Sequence, residues 1–267
     1  MSDSLIQSRT DGPLLYVTIN RPEKRNALTP GMLAEMAAQV AAADVQPEVR
    51  AVIVAGAGPI FSAGIDIMSL AESRGAAAGR DAGRWLRRLA DEMQQALHTI
   101  EATEVPVIGA LHGQVMGLGL ELALAFDLRV ASDDCKLSIP EARMGLVADV
   151  GGTTRLSRVV GPSRAKDMLM TARSVDANEA LQWGLVNRVV PAADLSTAAT
   201  ALGEQIAANA PLAVGMVKRI VDQGDGLDRH SQMALERWAQ SQLISTADVE
   251  EAVRAFLEKR PPRFEGR

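Results

Sequence analysis

Cysteine is nearly absent from this chain. Cys135 is the only one in 267 residues, which excludes an internal disulfide and any multi-cysteine metal site and leaves a small apolar side chain for packing. Aromatic residues make up only 3%, so a core has to be built from aliphatic, alanine and methionine side chains. The same scarcity argues against stacking platforms for single-stranded nucleic acid. Basic residues are scattered and the formal net charge is −5, which leaves no evident groove for a polyanion. No uninterrupted apolar run approaches the roughly 18 residues of a membrane span, and Met1 to Gln7 lack the basic-then-apolar order of a signal peptide. The expectation is a soluble cytoplasmic protein with no nucleic-acid and no membrane partner. The three histidines, His98, His112 and His230, are not spaced as metal ligands. His98 reads as a surface residue and His112 as a structural hydrogen-bonding group. Several catalytic signatures are missing too: G-x-x-x-x-G-K-[ST], G-x-S-x-G and H-E-x-x-H do not occur. Gly117-Leu118-Gly119 is a fragment of a dinucleotide fingerprint without its third glycine.

What is present is an alternation of strand-like and helix-like segments, in a chain 47% hydrophobic and long enough for one large domain. Leu14 to Ile19 reads as a strand. Thr29-Pro30 looks like an N-cap with proline in the first helical position, opening a helix with apolar residues at Leu33, Met36 and Val40. Ala51 to Ala55 reads as a strand, and Ser69 to Gly83, rich in glycine and alanine without an apolar period, as a mobile loop. Trp85, Leu89, Met93, Leu97 and Ile100 form the core stripe of a helix. Val105 to Leu111 reads as a strand, Leu118 to Phe126 as a helix and Leu128 to Ala131 as a strand. Asp176 to Glu179 has the form of a capping box, with Gly184 as the stop of the short helix it opens. After Val190 every segment is helical in pattern: Pro211 to Gln223, Arg229 to Leu243 and Ala247 to Lys259. The organisation expected is an α/β body with a helical tail.

Two turns about fifty residues apart carry the chemistry: Phe61-Ser62-Ala63-Gly64-Ile65-Asp66 and Gly113 to Glu121. Each follows a strand-like run, so each can present bare backbone N–H groups at a strand's end, where two can converge on one oxygen. Glu121 closes the second turn on an apolar helix, where an unpaired charge is costly unless it is used. Pro140-Glu141 supplies a second carboxylate twenty residues on. Acid/base chemistry beside a polarised carbonyl follows.

Taken in order, these motifs resemble the enoyl-CoA hydratase/isomerase (crotonase) family over nearly the whole chain. Asn20-Arg21-Pro22 with Asn26-Ala27-Leu28 matches its first CoA-contacting loop, and the two glycine turns match its oxyanion turns. Pro140 to Gly145, followed by Gly151 to Leu156, matches the segment of the second acid, and Ala255 to Arg260 the C-terminal helix. The resemblance implies a crotonase-like spiral of ββα turns over residues 1–195, with the acyl-CoA site, and a helical region over 196–267 that packs homotrimers, often paired into hexamers. It implies an acyl-CoA thioester as substrate and no separate cofactor, coenzyme A being part of that substrate.

Carried over by position, the backbone N–H groups of Ile65 and Leu118 would hold the thioester oxygen. Gly64 would permit close approach, and Gly117 would free the chain before a helix N-terminus that favours an enolate. Glu121 and Glu141 match the glutamates with which the family's hydratases hold a water and move a proton, and so close a pair should titrate as a unit. Asp149 matches an acid that the family's dienoyl-CoA isomerases use together with the counterpart of Glu141, whereas those isomerases tend to have Asp in place of Glu121. The motif set is therefore mixed: hydration of a 2-enoyl-CoA is the leading expectation, with dienoyl-CoA isomerisation or a non-catalytic acyl-CoA binder as alternatives. Lys24, Ala27, Leu28, Ala63, Gly64, Asp66 and Gly117 would line the substrate site. Phe256 and Lys259 would reach the CoA from a neighbouring subunit. Met68 departs from the lysine many hydratases carry there.

Overall fold

The computed structural model describes residues 4–76 and 81–267. Its frame is a six-stranded sheet in the order β1-β2-β3-β4-β6-β9. The strands are β1 (Ile6–Asp11), β2 (Leu14–Ile19), β3 (Ala51–Gly56), β4 (Val107–Leu111), β6 (Leu128–Ser132) and β9 (Arg188–Val190). Only the β1–β2 pair is antiparallel; the other neighbours run parallel. Parallel strands covered on both faces read as continuous apolar runs, and β3 and β4 do. A second sheet of β5 (Gln114–Met116), β7 (Lys136–Ser138) and β8 (Ser174–Asp176) lies in the order β5-β7-β8.

The chain winds between the two sheets. It leaves β4 for β5 across Gly113, forms α4 (Leu118–Leu124), returns through β6 and crosses again to β7. The first turn repeats this path: after β3, Ser62 makes a parallel bridge to Val115 of β5, and α2 (Ile67–Ala76) and α3 (Ala82–Glu101) follow. These are successive ββα turns, the architecture expected from the sequence. The larger core joins the main sheet to α1 (Pro30–Asp44), α3, α4 and α5 (Gly152–Val160), through side chains such as Val52, Val54, Leu33, Met36, Leu97 and Leu120. Cys135 is packed within it, its thiol pushed up to about 12 by burial. On the opposite face Leu14, Ile53 and Ile108 meet Leu195, Ala199 and Leu202 of α8 (Leu195–Ala207), so sheet packing continues past residue 195. Each fully buried valine, leucine, isoleucine or methionine side chain of these cores contributes about 1.5–3 kcal/mol.

Other elements are α6 (Pro162–Thr171), α7 (Ala177–Trp183), α9 (Pro211–Gly224), α10 (Arg229–Leu243) and α11 (Ala247–Glu258). Local signals operate as expected: Thr29 accepts from Met32 N at 3.3 Å, Asp176 from Glu179 N at 2.9 Å, and Gly184 ends α7 at φ 75°. Glu179 does not complete a reciprocal box; its carboxylate turns to Arg173 at 2.7 and 2.9 Å.

The segment expected to be a mobile loop, Ser69 to Gly83, is instead mostly helical where it is described. Helix α2 runs through Ala76, because Asp66 Oδ1 accepts from Met68 N at 3.0 Å and Ser69 N at 3.1 Å, and the alanines that hid an apolar period are strong helix formers. Residues 77–80 of that segment lie outside the described residues. Strand β1 and the three short strands of the second sheet, which carry no periodic signal, were not foreseen. Among the described residues no helix is long and apolar enough to cross a membrane.

Candidate functional site

The two glycine turns are laid side by side by main-chain bonds. Ser62 N donates to Gln114 O at 3.1 Å and Met116 N to Ser62 O at 3.0 Å, so the first turn adds to the edge of β5. Gly64 sits at φ 93°, and a Cβ there would lie 2.8 Å from Met116 O and 3.5 Å from Leu118 N. Only glycine admits that approach. Leu28 pairs with the turn from the other side, its N–H donating to Gly64 O at 2.7 Å while its carbonyl accepts from Asp66 N at 2.8 Å. That pairing points the Ile65 N–H the opposite way. Among the described residues, the N–H groups of Ile65 and Leu118 donate to no protein acceptor.

Both acids lie against the second turn. Helix α4 is buried along its whole length, and Glu121 within it is 2% exposed. Its Oε1 accepts from Val150 N at 2.9 Å and Gly152 N at 2.8 Å. Burial pushes its pKa up to about 7 against those two hydrogen bonds, with help from the charges of Glu141 and Asp149. Glu141 opens a short 3-10 helix, Glu141–Met144, and a Cβ on Gly117 would lie 2.6 Å from its Oε1. Its Oε2 is buried without a protein partner among the described residues. Burial raises the Glu141 carboxyl, and the charge of Asp149 adds to this. Asp149 is open to solvent at its surface, yet partial loss of hydration raises it as well. The structure therefore brings all three expected acids together, and among the described residues none of them pairs with a cation.

A cavity of about 490 Å³ opens beside the first turn, lined by Lys24, Ala27, Ala63, Ile65, Asp66 and Met68 among others. Lys24 is exposed at its mouth. Asp66 is not free: Oδ2 accepts from Arg21 Nη1 at 2.6 Å while Oδ1 caps α2. The capping Ser69 amide, then Arg21, holds its carboxyl below the usual range. Leu28 is fully buried and serves through its backbone. Phe256 is 82% exposed, and neither it nor Lys259 lines this cavity within the single chain. His112 bonds Gly58 O at 3.0 Å, a structural contact, and His98 lies at the surface beside Glu101.

Residues to which the sequence motifs assign no role of their own hold the site in place. Asn26, fully buried, donates to Ala57 O and Ile60 O at 2.8 Å and accepts from Arg21 N at 3.0 Å, tying the first loop beneath the first turn. Arg155 and Gln94 grip the turn of residues 149–152 that carries Asp149 and the two amides on Glu121. The doublet Gly151-Gly152 was the available signal: a Cβ on Gly152 would lie 2.9 Å from Glu121 Oε1.

Residues 9–267 match the family model described as enoyl-CoA hydratase/isomerase. The chain is 38% identical to a short-chain-enoyl-CoA hydratase of Clostridium acetobutylicum, over 94% of this chain and 93% of that protein. It is 36% identical to a peroxisomal Delta(3,5)-Delta(2,4)-dienoyl-CoA isomerase of Arabidopsis thaliana, over 97% and 95%. Among solved structures, an enoyl-CoA hydratase from Bacillus anthracis superposes with a TM-score of 0.91 at 32% identity, covering 99% of this chain and 100% of that one. With motifs, spiral fold and acid-lined glycine turns in agreement, the chain belongs to the enoyl-CoA hydratase/isomerase family.

Proposed function

We propose that this protein adds water across the double bond of a 2-enoyl-CoA thioester. The observation that carries the reading is the placement of two carboxyls whose charged forms burial disfavours, Glu121 and the half-buried Glu141, against a turn whose Leu118 amide, like that of Ile65, has no protein acceptor among the described residues. The thioester oxygen receives those two N–H groups. Glu121 takes a proton from water as the water oxygen bonds to Cβ, the π electrons move onto the oxygen as an enolate, and Glu141 gives its proton to Cα. One proton passing from Glu121 back to Glu141 restores the starting state. The pair thus works with a single proton passed between two carboxyls that burial and the negative charges beside them push up. Removing one oxyanion donor typically costs about a hundred- to a thousandfold in rate, the largest single contribution in this scheme.

CoA lies along the cavity beside Lys24, Ala27, Ala63 and Asp66, with Phe256 and Lys259 supplied by a neighbouring copy. Exposed apolar side chains on α9 to α11, including Val217, Val221, Trp238, Val253 and Leu257, support burial of the helical tail in a homotrimer or a pair of trimers. Light scattering coupled to size exclusion tests that assembly. The location proposed is cytoplasmic.

Asp149 favours a second reading, dienoyl-CoA isomerisation, because its carboxyl raises both Glu121 and Glu141. Incubation with crotonyl-CoA decides for hydration if the conjugated enoyl absorbance disappears. A 3,5-dienoyl-CoA converted instead, with conversion lost in Asp149→Asn, decides for isomerisation. Tight binding of both thioesters without turnover would leave a non-catalytic acyl-CoA binder.

A further inference from the structure

We propose that Arg155 is a positioning residue for the acid pair: clamped by Glu101 on α3, it fixes the turn of residues 149–152 so that the Val150 and Gly152 amides stay on Glu121. The activity arm of this inference rests on the hydratase reading; its geometric arm does not.

Arg155 is 8% exposed, and its guanidinium is fully engaged on two sides. Nε and Nη2 donate to the two oxygens of Glu101 at 2.5 and 2.7 Å, a bidentate pair. Nη1 donates to Val150 O at 2.9 Å, and the backbone N–H of Arg155 donates to Gly151 O at 2.7 Å. One residue earlier Gln94, also on α3, donates to Asp149 O at 2.5 Å. Three consecutive carbonyls of one turn, those of residues 149 to 151, are thereby held from outside. From inside, two of its amides hold one oxygen of Glu121. Gly151, at φ 107°, is required by the clamp itself, because a Cβ there would overlap Arg155 Nη1.

Hydrogen bonds donated to a carboxylate favour its charged form, so this turn works against the burial that raises Glu121. The mechanism needs Glu121 ionised when water arrives. A slackened turn would let Glu121 keep its proton at neutral pH. Other charges facing these groups are Glu141 and Asp149 beside Glu121. Beside Glu101 stand His98, with Nδ1 at 3.1 Å, and Asp222 of α9, which burial together with Asp127 and Glu101 pushes up to about 6. Lys218 is occupied by Asp127 at 2.9 Å.

The test compares Arg155→Lys and Glu101→Gln with the wild type, using Arg158→Ala as a control on the same helix, where Arg158 makes an exposed pair with Asp225. Carboxyl-carbon NMR titration, assigned with Glu121→Gln, reads the Glu121 midpoint without substrate. Steady-state hydration of crotonyl-CoA across pH reads kcat and KM. In Arg155→Lys the midpoint rises by about one unit, kcat near pH 7 falls about tenfold and KM stays within about twofold. Glu101→Gln moves each in the same direction by less, and Arg158→Ala moves none. Folded variants, shown by circular dichroism, that keep the wild-type Glu121 midpoint overturn the proposal; should Arg155→Lys fail to fold, Glu101→Gln decides by the same criterion. A shifted midpoint in a protein that hydrates nothing supports the positioning role and sinks only the hydratase reading.

Discussion

Two groups of acids in this molecule behave in opposite ways. At the surface, Arg173 lies between Asp167 and Glu179, with Nη2 at 2.6 and 2.7 Å from them, and hydrogen bonding to it holds the Glu179 carboxyl below its ordinary range. Arg260 does the same to Glu251, holding it down to about 2. Within the glycine turns, Glu121 receives only backbone amides and is pushed up to about 7 by burial, and Glu141 has an oxygen with no protein partner among the described residues. The residue type is the same; what differs is the supply of countercharge. A guanidinium fixes a carboxylate in its charged form, whereas an apolar helix with amide donors leaves a proton close to exchange at neutral pH.

The sharpest way to break this contrast is to remove the carboxyl that would give the proton. Glu141→Gln keeps the shape but cannot give a proton to Cα, so kcat for crotonyl-CoA hydration should fall by about a hundred- to ten-thousandfold with KM little changed. A comparable fall in Glu179→Gln would erase the distinction. Next in size is Gly117→Ala. Gly117 sits at φ 51° and its added Cβ would lie 2.6 Å from Glu141 Oε1, so either the carboxyl or the turn has to shift. About a hundredfold loss of kcat is expected, with most of the secondary structure retained by circular dichroism.

The buried acids could be read from the sequence because their setting is local: a glutamate inside Leu118 to Ala125, and a second after a proline, both near glycine turns. The parallel strands were legible for the same reason, since β2, β3 and β4 carry continuous apolar runs. Strand β1 was not, because five of its six residues are exposed at the sheet's edge and only pairing with β2 makes it a strand. The strands of the second sheet have three residues each, too few to show a period of two. Helix α2 does not show in the sequence because alanine and glycine conceal helical periodicity, and Asp66, expected to line the substrate site, also caps it. Arg155 could not have been found by spacing, since it meets Glu101 and the 149–152 turn only when α3 and α5 pack together.

Stability against pH sharpens the comparison further. Glu121 has a pKa of about 7 when folded against an ordinary 4.5, so between those values the folded protein binds more protons than the unfolded chain. Stability therefore falls as pH rises across that window, by about 3 kcal/mol for this one group. Glu121→Gln removes the charge, so the variant should be more stable than the wild type at pH 8, by up to about 3 kcal/mol in urea titrations, and the gap should close towards pH 5. A variant less stable at pH 8 would mean that the two amide hydrogen bonds outweigh the burial of the charge.

The paired acids should show the reverse trend at smaller size. Glu179 is depressed by Arg173, so its stabilisation is present above pH 4.5, the ordinary value for a glutamate, and is lost as pH falls through the lower folded-state value. Both side chains are about one-third exposed, 34% for Arg173 and 32% for Glu179, which leaves much of the attraction screened by water. Arg173→Ala should accordingly lower Tm by only about one or two degrees at pH 7. Half-molar salt should shrink that difference, because screening acts on exposed charges, while leaving the pH 8 advantage of Glu121→Gln nearly intact. If salt erased both differences alike, Glu121 would be reached by solvent ions, and a carboxylate so reached could not keep its proton at neutral pH.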